Sequence, residues 1–228
     1  MSRDLVRSAF DGILDRVIDG SFPAGSALPP EADLAALLDV SRPTMREAVR
    51  VLTDRGVLKV VHGRGTYVLP RSDWTDLNTI IQAMAATTPP QELGLQLTEV
   101  RRMIEVGACG LAAKNRSDDD VERMRAILED YDAAAEDGDV EAAVEADIAF
   151  HELIMNASGN PFIPSMMQPL ETALRKSRRT TTEHGRIRSR AQAHHYGILE
   201  AIAAQDVAGA KTAMRAHMTQ TREDIEGI

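Results

Sequence analysis

Asp147 and His151 stand four residues apart in a segment that also carries Val144, Ile148 and Ile154, so on a helix their side chains leave the same face. His195 and His217 lie in the last two amphipathic segments. With a corner near residue 205, His195 falls about ten residues before it and His217 about twelve after. At about 1.5 Å of rise per residue, an antiparallel hairpin brings the two to similar heights. One carboxylate and three imidazoles can therefore converge inside a helical bundle. Each also has an ordinary reading: a lone helical histidine is usually exposed or hydrogen-bonded in place, and Asp147 follows Glu141 and Glu145 in what could be a solvated acidic face. His194 points about 100° away from His195 and is expected at the surface.

A second constellation lies near the amino terminus. Pro29 and Pro30 can open a helix with Leu34, Leu37 and Leu38 on its apolar side. Val40 then enters the core, Ser41 can cap the next helix, Pro43 is tolerated in its first turn, and Met45, Val49 and Leu52 recur on the buried side. The other face carries Arg42, Arg46 and Arg50. Two β-rich runs, Val57–Val61 and Thr66–Leu69, flank His62-Gly63-Arg64-Gly65 as a hairpin. Helix, turn, helix and wing form a unit that docks in the major groove of DNA, where Arg42, Thr44 and Arg46 meet base edges and phosphates, while Arg50 meets backbone or solvent.

Charge supports that division. The chain of 228 residues has a net charge of −9, yet residues 1–70 are balanced, so the whole excess of acid lies in the remainder. Residues 41–65 hold six basic groups against two acidic ones, and phosphate attraction depends on local charge. No run of eighteen apolar residues occurs, and Met1-Ser2-Arg3-Asp4 does not lead into an apolar block. A cytoplasmic protein with no membrane partner is expected. The single Cys109, among Val106, Gly107, Ala108 and Leu111, reads as a small buried hydrophobe.

The elements that must position these groups are mainly helical. A first helix is expected from Asp4 to Asp19, with Leu5, Phe10, Ile13, Leu14, Val17 and Ile18 inward. Another is expected from Trp74 to Ala86, between the break at Pro70-Arg71-Ser72-Asp73 and the one at Thr87-Thr88-Pro89-Pro90-Gln91. Beyond Leu93 only amphipathic helical segments appear, at about 93–115, 118–137, 139–157, 161–181, 186–204 and 206–225. The fold class is mainly α: a winged helix-turn-helix domain (1–70), a linker with a short helix (71–92), and an all-α bundle (93–228).

The first third resembles the GntR family of bacterial transcription regulators. The likeness rests on Leu28-Pro29-Pro30-Glu31 through Leu34-Ala35, on Val40-Ser41-Arg42 through Arg46-Glu47-Ala48, and on Gly63-Arg64-Gly65-Thr66-Tyr67-Val68. It implies that Ser41, Arg42, Thr44 and Arg46 read DNA, with His62, Gly63 and Arg64 in the wing. Ala32 departs from the pattern, because relatives often place an operator-contacting arginine there. The rest is similar to the FCD effector domain of FadR-type members, through Glu99-x-Arg101, Asp147-x-x-x-His151, Ser158-Gly159-Asn160-Pro161, His195-x-x-Ile198-Leu199-Glu200 and Ala213-Met214-x-x-His217.

That resemblance implies a divalent metal held by Asp147, His151, His195 and His217, with a small carboxylate effector completing its coordination. Three imidazoles and a carboxylate suit zinc or nickel. Arg101 could bind the effector's carboxylate, or form a salt bridge with Glu99 or Glu105. The expected protein is a homodimeric repressor on a pseudo-palindromic double-stranded operator, answering to an organic or sugar acid. A constitutive DNA binder with a structural metal is one alternative. A metal-dependent hydrolase is the other, but His151-Glu152 does not extend to H-E-x-x-H, since position 155 is Met.

Overall fold

The computed structural model describes residues 2–228; Met1, counted in the expected first domain, lies outside the described residues. The chain divides into two compact units, with the boundary between Thr87 and Thr88.

The first unit holds α1 (Ser2–Ile18), α2 (Glu31–Leu37), α3 (Arg42–Asp54), β1 (Leu58–Val61), β2 (Gly65–Val68) and α4 (Leu77–Thr87). Phe10, Ile13 and Leu14 of α1 pack with Leu34, Met45, Val49 and Leu52 in one core. Two expected inward residues do not join it: Leu5 is 51% exposed and Leu37 54%, each lying at the edge of its apolar stripe. Ser41 caps α3 by accepting from the Thr44 N–H at 3.2 Å. At its other end Gly56 takes φ +75°, where an added Cβ would meet Oγ1 of Thr75 at 2.8 Å, so this turn requires glycine. β1 and β2 pair antiparallel from Leu58 opposite Val68 to Val61 opposite Gly65, and a bridge from Ala27 to Tyr67 braces the wing.

The segment expected as a linker is divided. Arg71–Asp73 form a 3-10 turn, and α4 starts at Leu77 rather than Trp74 because Asp76 Oδ1 accepts from the Thr79 N–H at 2.9 Å and caps it. Trp74 is buried in the first unit's core and donates its Nε1–H to the Leu69 carbonyl. Residues 88–92 belong to the second unit.

The second unit contains α5 (Pro90–Asn115), α6 (Asp118–Asp137), α7 (Val140–Ala157), α8 (Phe162–Met167), α9 (Glu171–Thr182), α10 (Gly185–Ala203) and α11 (Val207–Glu226). The start of α5 is three residues earlier than expected because Pro90, which has no N–H to lose, occupies the first turn. Ser117 and Asp120 form a capping box on α6, and Asp139 and Asp206 cap α7 and α11. The single helix expected over 161–181 is broken by a 3-10 turn at Gln168–Leu170 that contains Pro169. α7 is the central strut, buried from Ala143 to Ala157 on nearly every face, with Phe150 and Ile154 fully enclosed beside Met124, Leu128 and Ile198. Each such side chain contributes about 1.5–3 kcal/mol through burial, which fixes the neighbouring polar groups of α7 in place. Among the described residues no helix is long and apolar enough to cross a membrane.

Candidate functional site

In the first unit the expected reading residues lie at the start of α3 and on the wing. Arg42 and Arg46 are exposed, Arg42 has no ion-pair partner among the described residues, and Arg46 Nε is 3.2 Å from Glu31 Oε2. Ser41 and Thr44 share a hydroxyl contact of 2.7 Å, so both are occupied in capping α3 while remaining at its tip. His62, Gly63 and Arg64 form the exposed turn of the wing, where Gly63 takes φ +75°. Arg50 is bound to Glu47 and Asp54 on its own helix. Arg42, Arg46 and Arg64 are exposed cations, the residue type that suits a groove lined by phosphates.

In the second unit α7, α10 and α11 bring His151, His195 and His217 together. One ring nitrogen of each lies within 4.8 Å of the others. The His195 and His217 centroids are 4.7 Å apart, as the hairpin register requires. Asp147 joins them, its Oδ1 being 3.3 Å from His195 Nε2 and 3.9 Å from His151 Nε2. All three imidazoles are at least 98% buried. Burial, with the positive charges of Arg101 and Arg178 nearby, holds His195 and His217 well below the usual histidine range, so both are neutral and offer lone pairs. His195 Nε2 and His217 Nδ1 have no hydrogen-bond partner. Unpaired buried nitrogens are costly, and a shared cation would satisfy both.

The surrounding shell orients these rings. Gln192 Oε1 lies 3.2 Å from His195 Nδ1, and the Gln192 amide N–H groups donate to the Leu128 carbonyl and to Asp132. Glu105 Oε2 lies 2.6 Å from His151 Nδ1, and its other oxygen accepts from Arg101 Nε at 2.8 Å. Burial would raise the Glu105 carboxyl, but Arg101, His151 and Arg178 outweigh it and hold the group ionised far below the usual range. Arg101 is thus in the salt bridge that its spacing allowed, with Nη2 still 3.2 Å from His151 Nε2. Burial and the Glu105 charge push the Cys109 thiol up to about 12, which leaves it an inert core residue. His194 is half-buried beside His217, at a centroid distance of 6.0 Å.

Two cavities flank the cluster. A tight one of about 30 Å³ is walled by Arg101, Asp147, Arg178, Arg188, His217 and Gln220. A larger one of about 340 Å³ reaches His151, Glu105 and Arg178 from the side of Ile148, Met155 and Leu174. The sequence left open whether Arg175, Arg178 and Arg179 reach the pocket or are surface charge. Arg178 is 7% exposed and donates to Asp147. Gln192 was missed, although its place one helical turn before His195 put it on the same face.

A winged helix-turn-helix unit joined to an all-helical bundle is the architecture of a transcription regulator. The chain matches the gntR family of bacterial regulatory proteins over residues 5–68 and the FCD domain over residues 96–220. It is 31% identical to the HTH-type transcriptional regulator LutR of Bacillus subtilis, across 92% of this chain and 95% of that protein. It is 28% identical to the galactonate operon transcriptional repressor of Escherichia coli, across 84% and 83%. The solved structure of a Streptococcus agalactiae GntR protein aligns with a TM-score of 0.54 at 28% identity, covering 96% of this chain and 99% of that one. The chain belongs to the GntR family of bacterial transcription regulators, with the FadR-type pairing of winged helix and FCD domain.

Proposed function

We propose that this regulator is a homodimeric repressor whose grip on a pseudo-palindromic operator is adjusted by a small carboxylate bound at a metal centre in the second unit. The observation that carries the reading is the cluster of three buried imidazoles, each with a ring nitrogen that lacks a hydrogen-bond partner, and a carboxylate oxygen beside them. Asp147, His151, His195 and His217 would hold a divalent ion of the zinc or nickel type. Such an ion, when bound, supplies positive charge and open coordination positions for an anionic oxygen. Glu105 and Gln192 hold the His151 and His195 rings, while Arg101 and Arg178 place guanidinium groups beside the small cavity. The repressor polarity follows the likeness to the galactonate repressor.

At the other unit Ser41, Arg42, Thr44 and Arg46 would enter the major groove while His62, Gly63 and Arg64 meet the flanking backbone. Dimerisation is supported by a stripe of exposed apolar residues on α5. Val100, Met103 and Leu111 are 37%, 81% and 38% exposed, and open space surrounds Gly107 between them.

The test is fluorescence anisotropy with an operator selected from random DNA, run on metal-stripped and zinc-loaded protein across acetate, L-lactate, galactonate and gluconate. One acid that changes DNA affinity only in the zinc-loaded protein supports the reading. Identical affinity in every condition would leave a constitutive binder with a structural metal.

A further inference from the structure

Helix α9 is tied to α7 by three arginine–carboxylate pairs: Arg175 with Glu145, Arg178 with Asp147, and Arg179 with Glu141. The outer two are at the surface, where such pairs contribute little. The middle pair is different. Arg178 and Asp147 are 7% and 8% exposed, and Asp147 serves two masters: Oδ2 accepts from Arg178 Nη1, while Oδ1 faces His195 and His151. The Arg178 Nε–H is buried with no acceptor, and Arg178 lines both cavities beside the cluster.

Charge accounting shows what this sharing does. Arg101 is paired with Glu105 and Arg178 with Asp147. The centre is therefore balanced without a metal, and a dication would bring uncompensated charge into a buried site next to Arg178. A carboxylate at Arg178 would supply the missing acceptor for Nε, restore part of the balance, and release Asp147 toward the imidazoles. Arg101 is less able to exchange, because its carboxylate is held in place by the buried His151 as well.

We propose that Arg178 is the exchangeable cation of this centre: it gives up Asp147 as it takes the carboxylate of the effector, so that metal and carboxylate reinforce each other's binding. This rests on reading the cluster as a metal site. By linkage, the factor by which a carboxylate tightens metal binding equals the factor by which the metal tightens the carboxylate.

The experiment measures zinc affinity of the full-length chain by competition with a chelating dye in chloride buffer, then repeats it with acetate, L-lactate or galactonate. Arg178→Gln is expected to bind zinc alone about tenfold or more tighter than wild type, since a neighbouring like charge has gone, and to lose the tightening by carboxylate. Arg175→Gln, which breaks an outer pair, is expected to match wild type in both. Asp147→Asn supplies an independent arm in zinc-free protein, because it frees Arg178: one of the three carboxylates is expected to bind it several-fold tighter than wild type, read by calorimetry. Unchanged or weaker zinc binding in folded Arg178→Gln, or no gain in carboxylate binding by Asp147→Asn, would overturn the proposal alone. Failure of the wild type to bind zinc would overturn the metal reading and the proposal with it.

Discussion

The residues that decide this account differ in how they are held. Arg46 is exposed and paired with Glu31, so Arg46→Ala leaves the core undisturbed while removing the proposed DNA contact. Operator affinity is expected to fall by about 1–3 kcal/mol per reading head, with the thermal midpoint unchanged. Full affinity retained in an anisotropy titration would refute the placement of α3 in the groove. His151 is buried between Glu105, Asp147 and the other two imidazoles, so His151→Ala is expected to lower zinc affinity by two orders of magnitude or so and to abolish the acid response while operator binding survives. An intact acid response would remove the metal from the mechanism. The convergence of these four side chains was legible because a spacing of four puts Asp147 and His151 on one face, and because a hairpin corner near 205 sets the heights of His195 and His217. Arg178 was not legible: in Arg175-Lys176-Ser177-Arg178-Arg179 nothing local distinguishes the buried cation from the solvated ones.

Among the elements, α4 shows how one side chain sets a boundary. Asp76 Oδ1 accepts from the Thr79 N–H and hydroxyl and from Arg55. Burial would raise its carboxyl, but the Thr79 hydrogen bonds and Arg55 outweigh that and hold it below the usual range. The stability it contributes is therefore present above the unfolded carboxyl value and lost as pH falls through the lower folded one. Asp76→Ala is expected to cost about 1–2 kcal/mol at neutral pH, the size of a lost helix cap, and to flatten the first unit's acid-side stability curve. Denaturant unfolding at pH 7 and in mild acid checks both. Apolar periodicity located the helices, and in the structure Ser117, Asp139 and Asp206 cap the starts of α6, α7 and α11. Periodicity did not reveal the break at Gln168–Leu170, because Leu170 and Leu174 continue the pattern across it while Pro169 interrupts the backbone. It also extended the stripes of α1 and α2 to Leu5 and Leu37, which tertiary packing leaves outside.

For the whole molecule, the division of charge explains how an acidic protein binds DNA: the excess of base lies on α3 and the wing, and the net excess of acid lies beyond residue 70. The apolar stripe on α5 predicts that Met103→Glu, at an 81% exposed position, converts a dimer to monomers in light scattering and weakens operator binding without unfolding the chain. An unchanged mass would move the dimer contact off α5. The measurement that bears most directly on the central claim is the thermal midpoint of metal-stripped protein titrated with zinc, then with carboxylates at saturating zinc. Binding to the native state at about 100 times the dissociation constant adds about 2.7 kcal/mol. The account predicts a rise of several degrees with zinc in the wild type, none in His195→Ala, and a second rise with one carboxylate only when zinc is present. Equal zinc shifts in the wild type and His195→Ala, or a carboxylate shift that ignores zinc, would contradict it.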